Sequence, residues 1–169
     1  RRNISRMGPI TTITVHHTAG PCFWETSTAA TATLIRNIQK FHQNERRWAD
    51  IGYHYVIDRV GNIWQGRSLQ YQGAHAGGSL NEGNIGGAVL GNFCVQKPTA
   101  AQYSSLALLV ETLCMHLRLS PGRVFTHAEI ADTANLTTRC PGPALTRCVQ
   151  AIRSRLQRRL LAYRSGPGQ

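Results

Sequence analysis

Apolar and polar residues alternate over "ITTITVH", residues 10–16. Thr12, Thr14 and His16 fall on one face, and Ile13, Val15 and His17 on the other. That is the period-two pattern of a strand. It separates two adjacent histidines. His17 belongs to the apolar set and reads as packed or locally bonded. His16 belongs to the polar set, where a site can open. From residue 28 to 47 the period changes: Leu34, Ile35, Ile38, Phe41 and His42 recur at helical spacing with Arg and Gln between them, which predicts an amphipathic helix. "YHYVIDRVGNIWQGR", 53–67, reads as two strands joined by a turn at Val60, Gly61 and Asn62.

The second half continues in the same manner. "GAHAGGSLNEGN", 73–84, is a glycine-rich loop, and "IGGAVLGNF", 85–93, is a buried strand in which Gly86 and Gly87 mark close backbone approach. Thr99 and Gln102 form a capping box for a helix through Leu117, with Leu106, Leu109, Val110, Leu113 and Leu117 as its apolar stripe. "RVFTH", 123–127, is a short strand that ends in another histidine. Pro143 opens a last helix. Leu145, Val149, Ile152, Leu156 and Leu160 lie on one side, and Arg147, Arg153, Arg155, Arg158 and Arg159 on the other. Alternating strands and helices predict an α/β or α+β layer fold around one sheet. A single domain spans 1–169, with its core over about 10–163 and a frayed tail over 164–169.

Composition narrows the class. A chain of 169 residues that is 41% hydrophobic can build a core, so disorder throughout is excluded. No apolar run approaches the roughly 20 residues of a membrane span. The opening "RRNISRMGPI" carries no signal-peptide pattern. The net charge of +11 favours a polyanionic partner, either nucleic acid or an anionic cell-envelope polymer. Nucleic acid is not expected: the leucine stripe of the last helix is core packing, and no aromatic–basic reading motif accompanies the arginines. Five cysteines leave at least one outside any internal disulfide. The absence of a CxxC pair argues against a zinc ribbon or a thioredoxin-type site.

The residues able to carry chemistry are His16, Tyr53, His54, His75, His127, Asp132 and Cys140. His16 and His127 both close predicted strands. Cys140 stands in "TTRCPGPAL", just before a proline turn and a helix. Two imidazoles and a thiolate suit tetrahedral zinc with a fourth position for water. Spacing alone does not select that reading, because His16 and His127 are 111 positions apart and an isolated Cys140 reads equally as a small buried residue.

The blocks taken together are more specific. "ITTITVHHTAG", "IRNIQKFHQNERRWADIGYHYVIDRVGNIWQGR", "GAHAGG", "NEGNIGGAVLGNF", "THAE" and "CPGPAL" occur in one order over about residues 10–152. In this the chain resembles the type 2 N-acetylmuramoyl-L-alanine amidases, which include the peptidoglycan recognition proteins. The resemblance implies an α/β fold with a single central mixed sheet flanked by helices and a zinc site in a groove at the sheet. The family's zinc ligands match His16, His127 and Cys140. Its assisting tyrosine matches Tyr53 and a further active-site position matches Thr138. Twelve residues separate His127 from Cys140, more than in many relatives. Asp132 is therefore the alternative third ligand, with Cys140 favoured by its "CPG" context.

The implied reaction is zinc-dependent hydrolysis of the amide between N-acetylmuramic acid and L-alanine, with Tyr53 orienting or deprotonating the water. His75 is expected in the substrate groove and His54 in a structural role. The alternative is a non-catalytic recognition module; such members typically lack the cysteine ligand. The implied partners are peptidoglycan or muropeptides and other anionic envelope polymers. A monomer in the cell envelope, the periplasm or the secreted medium is expected.

Overall fold

The computed structural model describes residues 4–164. Five strands form one sheet in the order β3-β2-β4-β1-β5. They are β1 (Thr12–His17), β2 (Tyr55–Ile57), β3 (Ile63–Gln65), β4 (Asn84–Val89) and β5 (Val124–Thr126). β1 runs parallel to β4 and β5, β2 runs parallel to β4, and only the β2–β3 hairpin is antiparallel. The helices are α1 (Thr28–Asn44), α2 (Ala100–His116), α3 (His127–Asp132) and α4 (Pro143–Arg164). The architecture is thus α/β, a mixed central sheet covered by helices. No described helix is long and apolar enough to cross a membrane.

β1 is paired on both edges, and all six of its residues are buried. Ile13 and Val15 join Ile57, Ile85, Val89, Leu106, Val110, Leu145 and Ile152 in the larger core, which brings α2 and α4 onto the sheet. Val56, Ile51 and Leu90 pack on the other side with Leu34, Ile35 and Ile38 of α1. The polar face of β1 is consequently not a wet face. Thr14 donates to the Asn84 side chain at 3.0 Å, and both residues are buried.

The capping box of α2 forms as the sequence predicts: Gln102 N donates to Thr99 Oγ1 at 3.0 Å, and Thr99 N to Gln102 Oε1 at 3.1 Å. The hairpin turn is organised by buried Asp58, whose carboxylate accepts from Val60 N, Asn62 N, the Asn62 side chain and Trp64 Nε1. Several expectations change. α1 ends at Asn44 rather than 47, and Phe41 is 48% exposed. β4 ends at Val89: Leu90 still donates to Ile57 O, but its own carbonyl is taken by Gln102 Nε2 instead of a strand partner. β5 ends at Thr126, so His127 opens a helix instead of closing a strand. Leu160 is 45% exposed, since α4 overhangs the core after Leu156. Residue 164, where fraying was expected to begin, closes α4, and 165–169 lie outside the described residues.

The arginines of α4 do not form one free face. Arg153 pairs with Glu129 at 2.7 Å and donates to Val124 O at 3.0 Å. Arg155 and Arg159 both pair with Glu111 of α2. Acids on α2 and α3 therefore turn three of the five cations into ties between elements, while Arg147 and Arg158 remain exposed.

His42, on the inner side of α1, accepts from Gly52 N at 3.1 Å and packs on Trp48. Burial, then the charges of Arg67 and Arg46, hold its pKa down to about 4 from 6.5. The stability of the neutral form is full above pH 6.5 and is lost as the pH falls toward about 4. Over that window His42→Gln should flatten the pH dependence of unfolding free energy by up to about 1.4 kcal/mol per pH unit. Parallel denaturant melts of the two proteins at pH 7, 6, 5 and 4 measure the difference; identical slopes would refute it.

Candidate metal centre

His16 reaches the end of β1 on the α1 side of the sheet. His127 is brought beside it by β5, the direct neighbour of β1, and their ring centroids lie 4.5 Å apart. α3 is held by a second capping box: Glu129 N donates to Thr126 Oγ1 at 3.2 Å and Thr126 N to Glu129 Oε2 at 2.7 Å. The sequence carries this box as Thr126-His127-Ala128-Glu129. Arg153 binds the same Glu129 carboxylate, so α4 steadies the turn that presents His127.

Cys140 arrives from the loop before α4. Ala128 N donates to its carbonyl at 2.8 Å, and His17 N points at its Sγ at 3.4 Å. Gly142, with φ +85°, lies against the Phe93–Cys94 backbone, where a Cβ would come within 2.4–2.5 Å of main-chain atoms. Only glycine fits this approach. The donor atoms of His16, His127 and Cys140 all lie within 4.8 Å of one another. Asp132 stands exposed at the far end of α3, outside that group.

The imidazoles are neutral at pH 7. Burial, reinforced by His75, His127 and His17, holds His16 well below its usual pKa, and burial lowers His127 despite its bond to the Ala76 backbone. Burial also pushes the Cys140 thiol up to about 12, against the pull of the His17 N–H. Two neutral imidazoles and a thiol that ionises readily only beside a cation are a donor set suited to zinc.

The group opens into a cleft of about 560 Å³ lined also by Tyr53, His75, Asn92, Cys94, Thr138 and Arg139, with no Asp or Glu among the described residues. Tyr53 lies 5.4 Å from His16, ring centroid to centroid. Burial, then Cys140, raises its phenol far above its ordinary pKa, so it stays protonated and has a proton to offer as a donor. Thr138 Oγ1 accepts from Cys140 N at 3.2 Å, leaving its own proton for the cleft. A second groove of about 530 Å³ between α2 and α4 is largely apolar, and its Glu111 is already paired with Arg159.

The other histidines are engaged within the protein. His17 Nδ1 accepts from Phe93 N at 3.2 Å. His54 Nδ1 accepts from Gly86 N at 3.0 Å, and its Nε2 meets Tyr71 O at 3.1 Å. His75 Nδ1 lies 3.0 Å from His16 Nε2, and its Nε2 lies 3.1 Å from Asn84 O. Asn81 Oδ1 fixes the His75 loop by accepting from both His75 N and Ala76 N at 2.8 Å. Sequence reasoning overlooked Arg67. Its buried guanidinium donates to the carbonyls of Ile51, Gln72 and Asp50 at 2.7–2.8 Å, tying together the segments that carry Tyr53 and His75. The closing Arg of "IWQGR" was the available signal.

Comparison with known proteins meets this geometry. The N-acetylmuramoyl-L-alanine amidase family matches residues 6–143. The chain belongs to that family. It is 33% identical over 129 residues to peptidoglycan-recognition protein SC2 of Drosophila melanogaster, covering 76% of this chain and 66% of that protein. It is 32% identical to an N-acetylmuramoyl-L-alanine amidase of Mus musculus, covering 81% of this chain but 25% of the mouse protein. Among solved structures, Drosophila peptidoglycan recognition protein SD superposes with a TM-score of 0.76 at 28% identity, covering 89% of this chain and 85% of that one. The amidase LysC of Clostridium intestinale superposes with a TM-score of 0.74 at 26% identity, covering 92% and 90%.

For this member of the amidase family, purified protein should carry about one zinc per chain, the stoichiometry of a single three-ligand site. His16→Ala, His127→Ala and Cys140→Ala should each lose it, while Asp132→Ala keeps it. Elemental analysis after gel filtration reads the result. Zinc retained by Cys140→Ala and lost by Asp132→Ala would reassign the third ligand.

Proposed function

We propose that this chain is a zinc-dependent N-acetylmuramoyl-L-alanine amidase, cleaving the amide between N-acetylmuramic acid and L-alanine in peptidoglycan. The observation that carries the reading is the meeting of His16, His127 and Cys140 in one cleft. Cys140 supports catalysis over a recognition module that binds without cleaving. When bound, zinc supplies a Lewis acid and lowers the pKa of its water to about 7.

The chain's own residues do the rest. His16 and His127 offer neutral nitrogen donors because burial keeps them unprotonated. Cys140 offers sulfur, steadied by the His17 N–H. Among the described residues no carboxylate lines the cleft, so no side chain there resembles the glutamate base of a helical metalloprotease. Tyr53 remains a neutral phenol and acts as a hydrogen-bond donor to the oxygen that gains charge as the amide carbonyl is attacked. This favours orientation over deprotonation. Thr138, its oxygen held by Cys140 N–H, has a hydroxyl proton to direct at the same oxygen or at the leaving nitrogen. The substrate places the protein at the cell envelope, in the periplasm or in the secreted medium.

Incubation with isolated sacculi should release new L-alanine amino termini. Activity should stop with chelator and return with zinc. Binding without release would establish the recognition module instead. Tyr53→Phe should keep zinc and fold but lose roughly 10²–10³-fold in kcat, the cost of one oxyanion donor; an unchanged kcat would reduce Tyr53 to packing. Arg147→Gln with Arg158→Gln should weaken sacculus binding at low salt, with the difference shrinking as salt rises. Turnover of a small muramyl peptide should not change. Equal sacculus binding by wild type and the double variant would leave these arginines without a role in adhesion.

A further inference from the structure

We propose that His75 is a positioning residue that fixes the tautomer of His16, so that His16 presents Nδ1 to the metal. This rests on the reading of His16 as a metal ligand. The His75 ring lies in a slot made by two glycines. A Cβ at Gly73 would come 2.5 Å from its Cδ2, and a Cβ at Gly86 would come 2.4 Å from the same atom. Two backbone segments can close on the ring only because neither carries a side chain, and the closed slot holds its plane.

The polar atoms then have one consistent arrangement. Asn84 O, 3.1 Å from His75 Nε2, accepts only, so Nε2 carries a hydrogen. Among the described residues no carboxylate bonds the buried ring, and a neutral imidazole with hydrogen on Nε2 has a bare Nδ1. That atom lies 3.0 Å from His16 Nε2, which must therefore donate. His16 is left with an unprotonated Nδ1, 3.7 Å from Cys140 Sγ and turned toward the donor group. Metal-bound histidines commonly donate their second N–H to a carboxylate, a carbonyl or water. Here an imidazole stands between the ligand and the carbonyl, relaying the orientation of a β4 peptide group to the site. Both nitrogens of His75 are used in that relay, so the ring has no free polar atom with which to bind substrate.

The test compares His75→Ala with His75→Asn. Asparagine Oδ1 takes the place of the accepting Nδ1, whereas alanine removes the acceptor. In competition with a chromogenic chelator, His75→Ala should bind zinc 10–100-fold more weakly than wild type, and His75→Asn should recover most of the loss. Long-range ¹H–¹⁵N spectra of the metal-free wild type should show His16 protonated at Nε2 and bare at Nδ1. His75→Ala should erase that preference. Equal zinc affinity in wild type and His75→Ala, equal loss in both variants, or a wild-type His16 protonated at Nδ1 would each overturn the proposal. His16→Ala separates the two readings: if it keeps zinc, the metal-site assignment fails; if it loses zinc while His75→Ala does not, only the role of His75 fails.

Discussion

The double-sided pairing of β1 is the constraint on which the rest of the structure depends. With β4 on one edge, β5 on the other and packed elements over both faces, the strand is dry along its whole length. Each of the two imidazoles at its end takes a hydrogen-bond partner from inside the protein, because an unpaired buried polar group costs about 1–3 kcal/mol. Their partners define the site. His17 turns to the α2–α4 side and accepts from Phe93 N, while its own backbone N–H meets Cys140 Sγ. His16 turns to the α1 side and meets His75. The candidate metal centre is thus assembled where a central parallel strand stops, at the carboxyl end of the sheet, a common location for sites in open α/β folds.

Burial also sets the chemistry. Every histidine in this layer is pushed toward its neutral form, with His17 at about 4 and His75 at about 3, and desolvation leads in each case. The same desolvation raises Tyr53 and Cys140. A cleft whose described lining has no carboxylate and keeps its imidazoles, phenol and thiol uncharged is poor at moving protons unaided. It suits a reaction in which an added cation provides the charge and the protein provides neutral donors and hydrogen bonds.

The basic charge is divided between two tasks. Arg67 is buried, and three backbone carbonyls neutralise its cost as they join the Tyr53 and His75 segments. Arg153, Arg155 and Arg159 tie α4 to α3 and α2 through Glu129 and Glu111. Of the five arginines on the polar side of α4, Arg147 and Arg158 are therefore the ones left for an anionic polymer. Exposed ion pairs of this kind are worth little individually, but the Arg153–Glu129 pair also completes the cap behind His127.

Local rules made much of this legible in the sequence. Period-two alternation placed His16 and His17 on opposite faces, helical spacing found α1, α2 and α4, and the Thr99–Gln102 pair located a helix start, because each depends on neighbours a few residues away. The motif blocks pointed to the amidase family, whose identification the comparisons bear out. What the pattern could not supply was anything set by distant partners. The polar face of β1 reads as open to a site, and His16 does line the cleft, but Asn84 covers Thr14 and His75 takes the second nitrogen of His16. His127 reads as a strand end, yet Thr126 and Glu129 turn the chain into a helix that Arg153 holds from α4. Leu160 fits the stripe of α4, but the core ends at Leu156. Sequence by itself determined which faces are apolar and which residue types could bind a metal; only the tertiary structure decided which of them meet, because hydrogen-bond partners and burial are fixed by segments as much as 124 positions apart.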